Sequence, residues 1–448
     1  MKKLLFKNAK VVSAHGIDEK DVVVNAGEIF KVCEDGEGED VMVNILEEGE
    51  EFETIDCSGE DKYLLPGLVD AHVHFREPGM TAKGDFASES AAALAGGVTT
   101  IFDMPNTKPA TVTFEAFAAK VELAKEKCKC HFKIFVGAAE VDGKANLEEI
   151  KKIVADDELR RFLAGIKVYM AHSTGDMGAS GVLEAMLADE KLREIDGRVL
   201  PIVVHAEDQE CLDEFAEGFD LSVPGNHGKA RPVECCLKAV KEACHLARKH
   251  KRSVHIAHVS SREELDEIGK FKDGLVTCEV SPRHLFLNDG MYEKLGGFLK
   301  VNPPVRSKEE VGELWKGVYA GEIDIVATDH SPHTREEKEG AGGGIAPSGM
   351  PDVQTLLPLM LNEVVGEKLD LQKVVEMCCE KPAEIFGLEN VGKIEDGGRA
   401  DLILVDLGEE RIVGKGEAAL KYKCGWSCYE GWKLSGWPEV VVLAGEVV

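Results

Sequence analysis

Two histidines one residue apart, His72 and His74 in Asp70-Ala71-His72-Val73-His74, are the first residues in the chain that could do chemistry together. In an extended strand residues i and i+2 face the same side, so both imidazoles can reach one ion. Neutral imidazole is a common zinc ligand. His205, His258, Glu279 and Asp329 stand further on, each at the end of a short apolar run. A carboxylate such as Asp329 that binds a metal beside its bound water can also relay that water's proton. Lys167 is a different kind of candidate. An ordinary ammonium, with a pKa near 10.4, has no lone pair to offer a metal. Burial lowers that value, and the free amine can take up carbon dioxide to form a carbamate able to bridge two ions. Arg76, in His74-Phe75-Arg76-Glu77-Pro78-Gly79, can hold a carboxylate with two parallel hydrogen bonds. Asn106, Arg306 and His333 are further polar candidates for contact with substrate. Taken singly, each has a plain structural alternative: histidines on a polar face, a solvated arginine, an aspartate capping a turn.

Position decides between these readings. Eight short apolar runs alternate with helical stretches between Pro66 and Leu388: Gly67–Asp70, Val98–Asp103, Phe132–Val136, Gly165–Tyr169, Leu200–Val204, Ser253–Ala257, Leu275–Cys278 and Ile323–Ala327. Phe86–Ala95, Phe114–Lys127 and Ala230–Lys249 read as helices long enough to return the chain for a parallel strand. No GxGxxG follows the first run, which removes the main support for a dinucleotide fold. The pattern predicts an α/β protein, a (β/α)8 barrel of the TIM type, whose active site lies at the carboxyl ends of its strands. The candidates fall at those ends: the histidine pair after the first run, Asn106 after the second, Lys167 on the fourth, then His205, His258, Glu279 and Asp329 on the last four. Short β-rich segments with glycine turns precede and follow this core. They predict a small composite β-sandwich built from both termini, residues 1–65 and 391–448, around a barrel of 66–390.

Composition narrows the partners. A net charge of -29 argues against nucleic acid, since nothing could neutralise a phosphate backbone. No run approaches the roughly 18 apolar residues of a spanning helix, and Lys7, Asn8 and Lys10 interrupt the apolar start of the chain. A soluble, cytoplasmic protein is expected. The 13 cysteines include the adjacent pairs Cys235-Cys236 and Cys378-Cys379 but no CxxC, a pattern of reduced buried thiols rather than a disulfide framework.

Several longer stretches carry a resemblance. Pro66-Gly67-Leu68-Val69-Asp70-Ala71-His72-Val73-His74-Phe75-Arg76-Glu77-Pro78-Gly79, Met104-Pro105-Asn106-Thr107, Cys278-Glu279-Val280-Ser281-Pro282, Asn302-Pro303-Pro304-Val305-Arg306 and Ala327-Thr328-Asp329-His330-Ser331-Pro332-His333 resemble the dihydroorotases of the amidohydrolase superfamily. Tyr429 to Pro438 is similar to the closing segment of the same family. The resemblance implies two zinc ions per subunit and reversible hydrolysis of dihydroorotate to N-carbamoyl-L-aspartate in pyrimidine biosynthesis. It assigns His72, His74 and Asp329 to one zinc, His205 and His258 to the other, and a carboxylated Lys167 as the bridge. Asp329 would also carry the proton, and Glu279 would contact an additional zinc. Arg76, Asn106, Arg306, His333 and the backbone of Ser348 and Gly349 would contact substrate. The resemblance leaves open a homodimer and an association with aspartate transcarbamoylase. One departure stands out: Arg283-His284 replaces the histidine pair of many relatives, placing a cation where it is expected beside Glu279. Rival readings are an allantoinase, a hydantoinase or dihydropyrimidinase, or a non-catalytic scaffold. Arg76 separates them, because those rings need no carboxylate anchor.

Overall fold

The computed structural model describes residues 3–47, 49–141, 144–172, 181–271, 274–340 and 344–448. Eight parallel strands pair in sequence order: β1 (Leu68–Val73), β2 (Val98–Asp103), β3 (His131–Gly137), β4 (Leu163–Tyr169), β5 (Ile202–His205), β6 (Val254–Ile256), β7 (Val276–Val280) and β8 (Ile325–Val326). The ring closes just above β8. Val73 bridges His330 in parallel, and the His74 amide donates to the His330 carbonyl at 2.7 Å. All eight strands match the apolar runs of the sequence.

The interior of the barrel is packed rather than hollow. Val69, Ala71, Phe102, Met104, Phe135, Ala164, Val203, Ala257 and Ile325 form an inner cluster, with Phe386 plugging the end opposite the strand carboxyl termini. Leu68, Val73, Ile101, Ile134, Ile166 and Val204 belong to the outer cluster beneath the helices. Strand β1 changes parity along its length, since Val69 and Ala71 face inward while Val73 faces outward. Its pairing with β2 shifts register between Asp70 and Val73. That irregularity turns His72 and His74 toward the barrel axis, a common use of a bulge beside a functional site.

Local chemistry sets the helices where the sequence places them. Asp85 caps Phe86–Ala95 in a reciprocal capping box with Ser88, and the Thr113 side chain caps Phe114–Lys127. The third long helix starts at Val233 rather than Ala230, because Pro232 has no amide hydrogen to continue a helix backward and takes the capping position.

Both termini build one further sheet of eight strands. Leu402–Asp406 runs antiparallel to Lys62–Pro66, and Lys62–Pro66 lies beside Lys3–Ser13, so the two ends of the chain share a hydrogen-bonded layer. Its strands form one continuous ladder with a branch, Phe52–Asp56, on Lys3–Ser13. No helix among the described residues is long and apolar enough to cross a membrane.

The cysteine expectation needs correction. Cys211 and Cys235 form a disulfide, with their α-carbons 5.4 Å apart. The helices Gln209–Ala216 and Val233–His250 bring them together across 24 residues, a contact that spacing could not reveal. The other eleven cysteines form no disulfide, and nine of them are buried.

Candidate metal centre and active site

A cavity of about 220 Å³ opens at the carboxyl ends of the barrel strands. His72, His74, Arg76, Asn106, His205, His258, Asp329, His333, Ser348 and Gly349 all line it, although they come from nearly every part of the barrel. Lys167 and Glu279 lie buried just beneath, and Arg306 is turned away.

His72, His74 and Asp329 offer ligand atoms that all lie within 4.8 Å of one another. Asp329 Oδ1 stands 3.0 Å from His74 Nε2 and 3.5 Å from His72 Nε2. The far nitrogen of each ring has a partner that fixes its tautomer. His72 Nδ1 donates to Glu279 Oε1 at 2.5 Å, and His74 Nδ1 donates to Asn106 Oδ1 at 2.6 Å. Both Nε2 lone pairs are therefore free to meet a cation, which is how acceptors behind a metal-binding histidine orient it. Burial holds the His74 imidazole at a pKa of about 3 and lowers His72 as well, so both rings are neutral ligands at ordinary pH. For Asp329, burial works upward, but the charged Arg283 guanidinium is the largest opposing influence, and the carboxylate is held well below its ordinary range.

Across the cavity, His205 Nδ1 and His258 Nε2 face each other at 2.9 Å. His205 Nε2 donates to Glu207 Oε2 at 2.8 Å, and Arg231 clamps the same carboxylate through Nε and Nη2. Burial raises Glu207, but Arg231 and His205 reverse that and hold it well below the usual carboxylate range. Lys167 sits on β4 with its Nζ buried and without a hydrogen-bond partner among the described residues. Burial lowers its pKa to about 8, against the opposing pull of Glu279 and Asp329. An uncompensated buried amine is costly as a cation and available as a nucleophile. Four imidazoles and one carboxylate are donor types that suit a divalent metal such as zinc, and the buried Lys167 amine lies among them.

Three residues at this rim hold left-handed backbone conformations without being glycine: Arg76 (φ 68°), His258 (φ 36°) and Asp329 (φ 50°). Such positions cost on the order of 1–3 kcal/mol each and persist only where the surroundings impose them. Arg76 is buried, with Nε donating to the Pro332 carbonyl at 3.0 Å and Nη2 lying 3.2 Å from His333 Nε2. Burial lowers its pKa to about 10, so the guanidinium keeps its charge at neutral pH. Burial also takes His333 down to about 3, leaving a neutral ring beside the cation. The Trp426 indole donates to the His333 carbonyl at 2.7 Å, which brings the closing segment of the chain up against the cavity wall. Gly349 is required by space: a β-carbon there would meet the Ser331 carbonyl at 2.5 Å.

Two expectations change. Arg306 donates to the Arg231 carbonyl, the Ser260 hydroxyl and the Cys236 sulfur, so its loop is tied to the Glu207–Arg231 side of the barrel; Asn302, from the same motif, lines the cavity instead. Arg283 does not stand against Glu279. It sits at the start of the short helix Pro282–Phe286 and lies fully buried between Asp329 and Asp352. Glu279 has both oxygens engaged, by His72, by His255 and by the His258 amide. Sequence reading missed Glu207, Arg231, His255 and Tyr169. A signal existed for Glu207, two residues after His205, and for Tyr169, two after Lys167 on the same strand face. Arg231 and His255 gave none.

The barrel and its rim define a hydrolase class in which a buried set of candidate metal ligands sits at the strand ends. The family model described as the amidohydrolase family matches residues 63–448, and the chain belongs to that family. Among curated proteins it is 35% identical to a dihydroorotase of Halobacterium salinarum over 96% of this chain and 95% of that one. It is likewise 35% identical to a dihydroorotase of Methanosarcina mazei, over 99% and 93%. Among solved structures it resembles an L-hydantoinase (dihydropyrimidinase) from Arthrobacter aurescens, with a TM-score of 0.87, 30% identity, and coverage of 100% of this chain and 96% of that one.

Proposed function

We propose that this chain catalyses the dihydroorotase reaction, the reversible hydrolysis of the ring amide of dihydroorotate to N-carbamoyl-L-aspartate. The observation that carries the reading is Arg76, a buried and still charged guanidinium lining the same small cavity as the metal-ligand set. A cyclic amide that bears a carboxylate satisfies both halves of that cavity; a neutral ring leaves the arginine unpaired in a desolvated site, at a cost of several kcal/mol.

In this reading His72, His74 and Asp329 would hold one zinc and His205 and His258 the other, with a carboxylated Lys167 as a further ligand. Bound there, the ions supply Lewis-acid polarisation of the amide carbonyl and lower the pKa of water. The chain does the rest. Arg76 and Asn106 hold the substrate carboxylate, with His333 and the Ser348–Gly349 backbone closing on the ring, so that the reacting carbonyl is fixed before the reaction begins. Asp329 takes the proton from the attacking water and returns it to the departing ring nitrogen, which balances the hydrolysis. Glu279 and Glu207 keep their histidines in the ligating tautomer. Arg306 serves the loop that presents Asn302.

The test is a side-by-side assay of purified protein on dihydroorotate, hydantoin, dihydrouracil and allantoin, followed by Arg76→Met. The expected result is turnover of dihydroorotate that collapses in the variant. Turnover confined to the neutral rings, or unaffected by loss of Arg76, overturns the assignment.

A further inference from the structure

Arg283 has no part in the roles above, yet it has the densest polar surroundings of the site. Its side chain is completely buried. Nε donates to Asp352 Oδ2 at 2.8 Å, and Nη2 stands 2.7 Å from the same oxygen. Nη1 reaches Asp329 Oδ2 at 3.2 Å and the Ser331 hydroxyl at 3.3 Å. Nη2 also donates to the carbonyls of Thr328 (2.9 Å), Asp329 (2.6 Å) and Met350 (3.2 Å). One planar group thus grips Asp329 twice, by its side chain and by its own carbonyl, at a residue whose backbone is left-handed.

We propose that Arg283 is a positioning residue for Asp329. It occupies Oδ2 and pins the strained turn Thr328 to Ser331, so that Oδ1 is the oxygen presented to His72 and His74. The geometry of the fork matters as much as its charge. A rigid guanidinium can bond a carboxylate and two carbonyls of one turn at once, whereas an ammonium offers a single point with three rotating donors. Asp352 anchors the cation from behind, and the Asp352 and Val353 amides in turn donate to His330 Nδ1, the residue next to Asp329. The inference rests on the reading of Asp329 as the proton carrier.

The experiment compares wild type with Arg283→Lys, Asp329→Asn and the double variant, measuring kcat, KM, bound zinc per chain and thermal midpoint. Expected for Arg283→Lys is a folded, zinc-loaded protein whose kcat falls by about 10²-fold while KM stays within about twofold, the mark of a misplaced reacting group rather than lost binding. Arg283→Lys should add nothing further in the Asp329→Asn background, because a residue acting through Asp329 has nothing left to act on. A kcat within about threefold of wild type in a folded Arg283→Lys protein, additive losses in the double variant, or a fall in activity that merely tracks lost zinc each overturns the proposal. If Arg283→Lys does not fold, Arg283→His is read in the same way, and failure of both to fold assigns the residue to stability alone. Wild type is assayed on every ring substrate named above, so the wrong choice of substrate shows up in wild type itself and leaves the Arg283 comparison intact on whichever ring is hydrolysed.

Discussion

The two histidine groups at the barrel rim are built to different standards. His72, His74 and Asp329 form a closed set: three protein ligand atoms within 4.8 Å, backed by Glu279, Asn106 and Arg283, at the seam where β1 meets the end of β8. His205 and His258 bring only two ring nitrogens, 2.9 Å apart. One is braced by Glu207 and Arg231, while His258 Nδ1 has no partner among the described residues. Between them lies a lysine that cannot ligate in its ordinary form. In the proposed reading the first group is complete in protein atoms, and the second would take an anion, which a carbamate on Lys167 would supply.

Breaking the comparison at its strongest point should have the largest effect. Asp329→Asn is expected to reduce kcat by about 10³-fold or more, within the span assigned to a lost acid–base group, while most of the zinc remains. Near-normal turnover in zinc-loaded Asp329→Asn protein would remove the proton-carrier role. Next comes Lys167→Ala, which should lower zinc per chain chiefly at the His205–His258 half, with partial recovery when short carboxylic acids are added. Metal analysis by mass spectrometry reads this directly, and unchanged stoichiometry argues against a bridging carbamate. Arg76→Met removes up to two charge-assisted hydrogen bonds worth about 3 kcal/mol together, so kcat/KM for dihydroorotate should drop about 10²-fold. Zinc content should not move, and if it does, Arg76 belongs to the metal centre rather than to the substrate. The smallest effect is expected from Glu207→Gln. Losing the carboxylate behind His205 should weaken zinc at that half by roughly 10–100-fold, measured by competition with a chelator, and leave the His72–His74 half unaltered. Equal weakening of both halves would erase the distinction between them.

Much of this arrangement was legible before any coordinates. The eight apolar runs became the eight barrel strands, since a strand buried on both faces must be apolar nearly throughout. Residues at the ends of those runs had to share a rim, and the histidine pair, His205, His258 and Asp329 did so. What escaped was whatever depends on where a side chain turns after the strand ends. Arg283 was expected against Glu279 and instead faces Asp329, because it sits on the short helix Pro282–Phe286 that follows the strand; Arg306 was expected to contact substrate and lies in a neighbouring loop contact. The Cys211–Cys235 bond escaped for the same reason, as it depends on two helices packing side by side.

The sequence by itself determined the barrel, its rim and the residue types that gather there, because hydrophobic period and strand polarity are local properties that accumulate along the chain. Only the tertiary structure decided which nitrogen of His72 and His74 faces Asp329, which oxygen of Asp329 faces that histidine pair, and that the Lys167 amine is buried without a hydrogen-bond partner among the described residues. Those are consequences of close packing between segments far apart in sequence. They include a register shift in β1, a left-handed turn at Asp329 and two carboxylate–guanidinium pairs set behind the ligands.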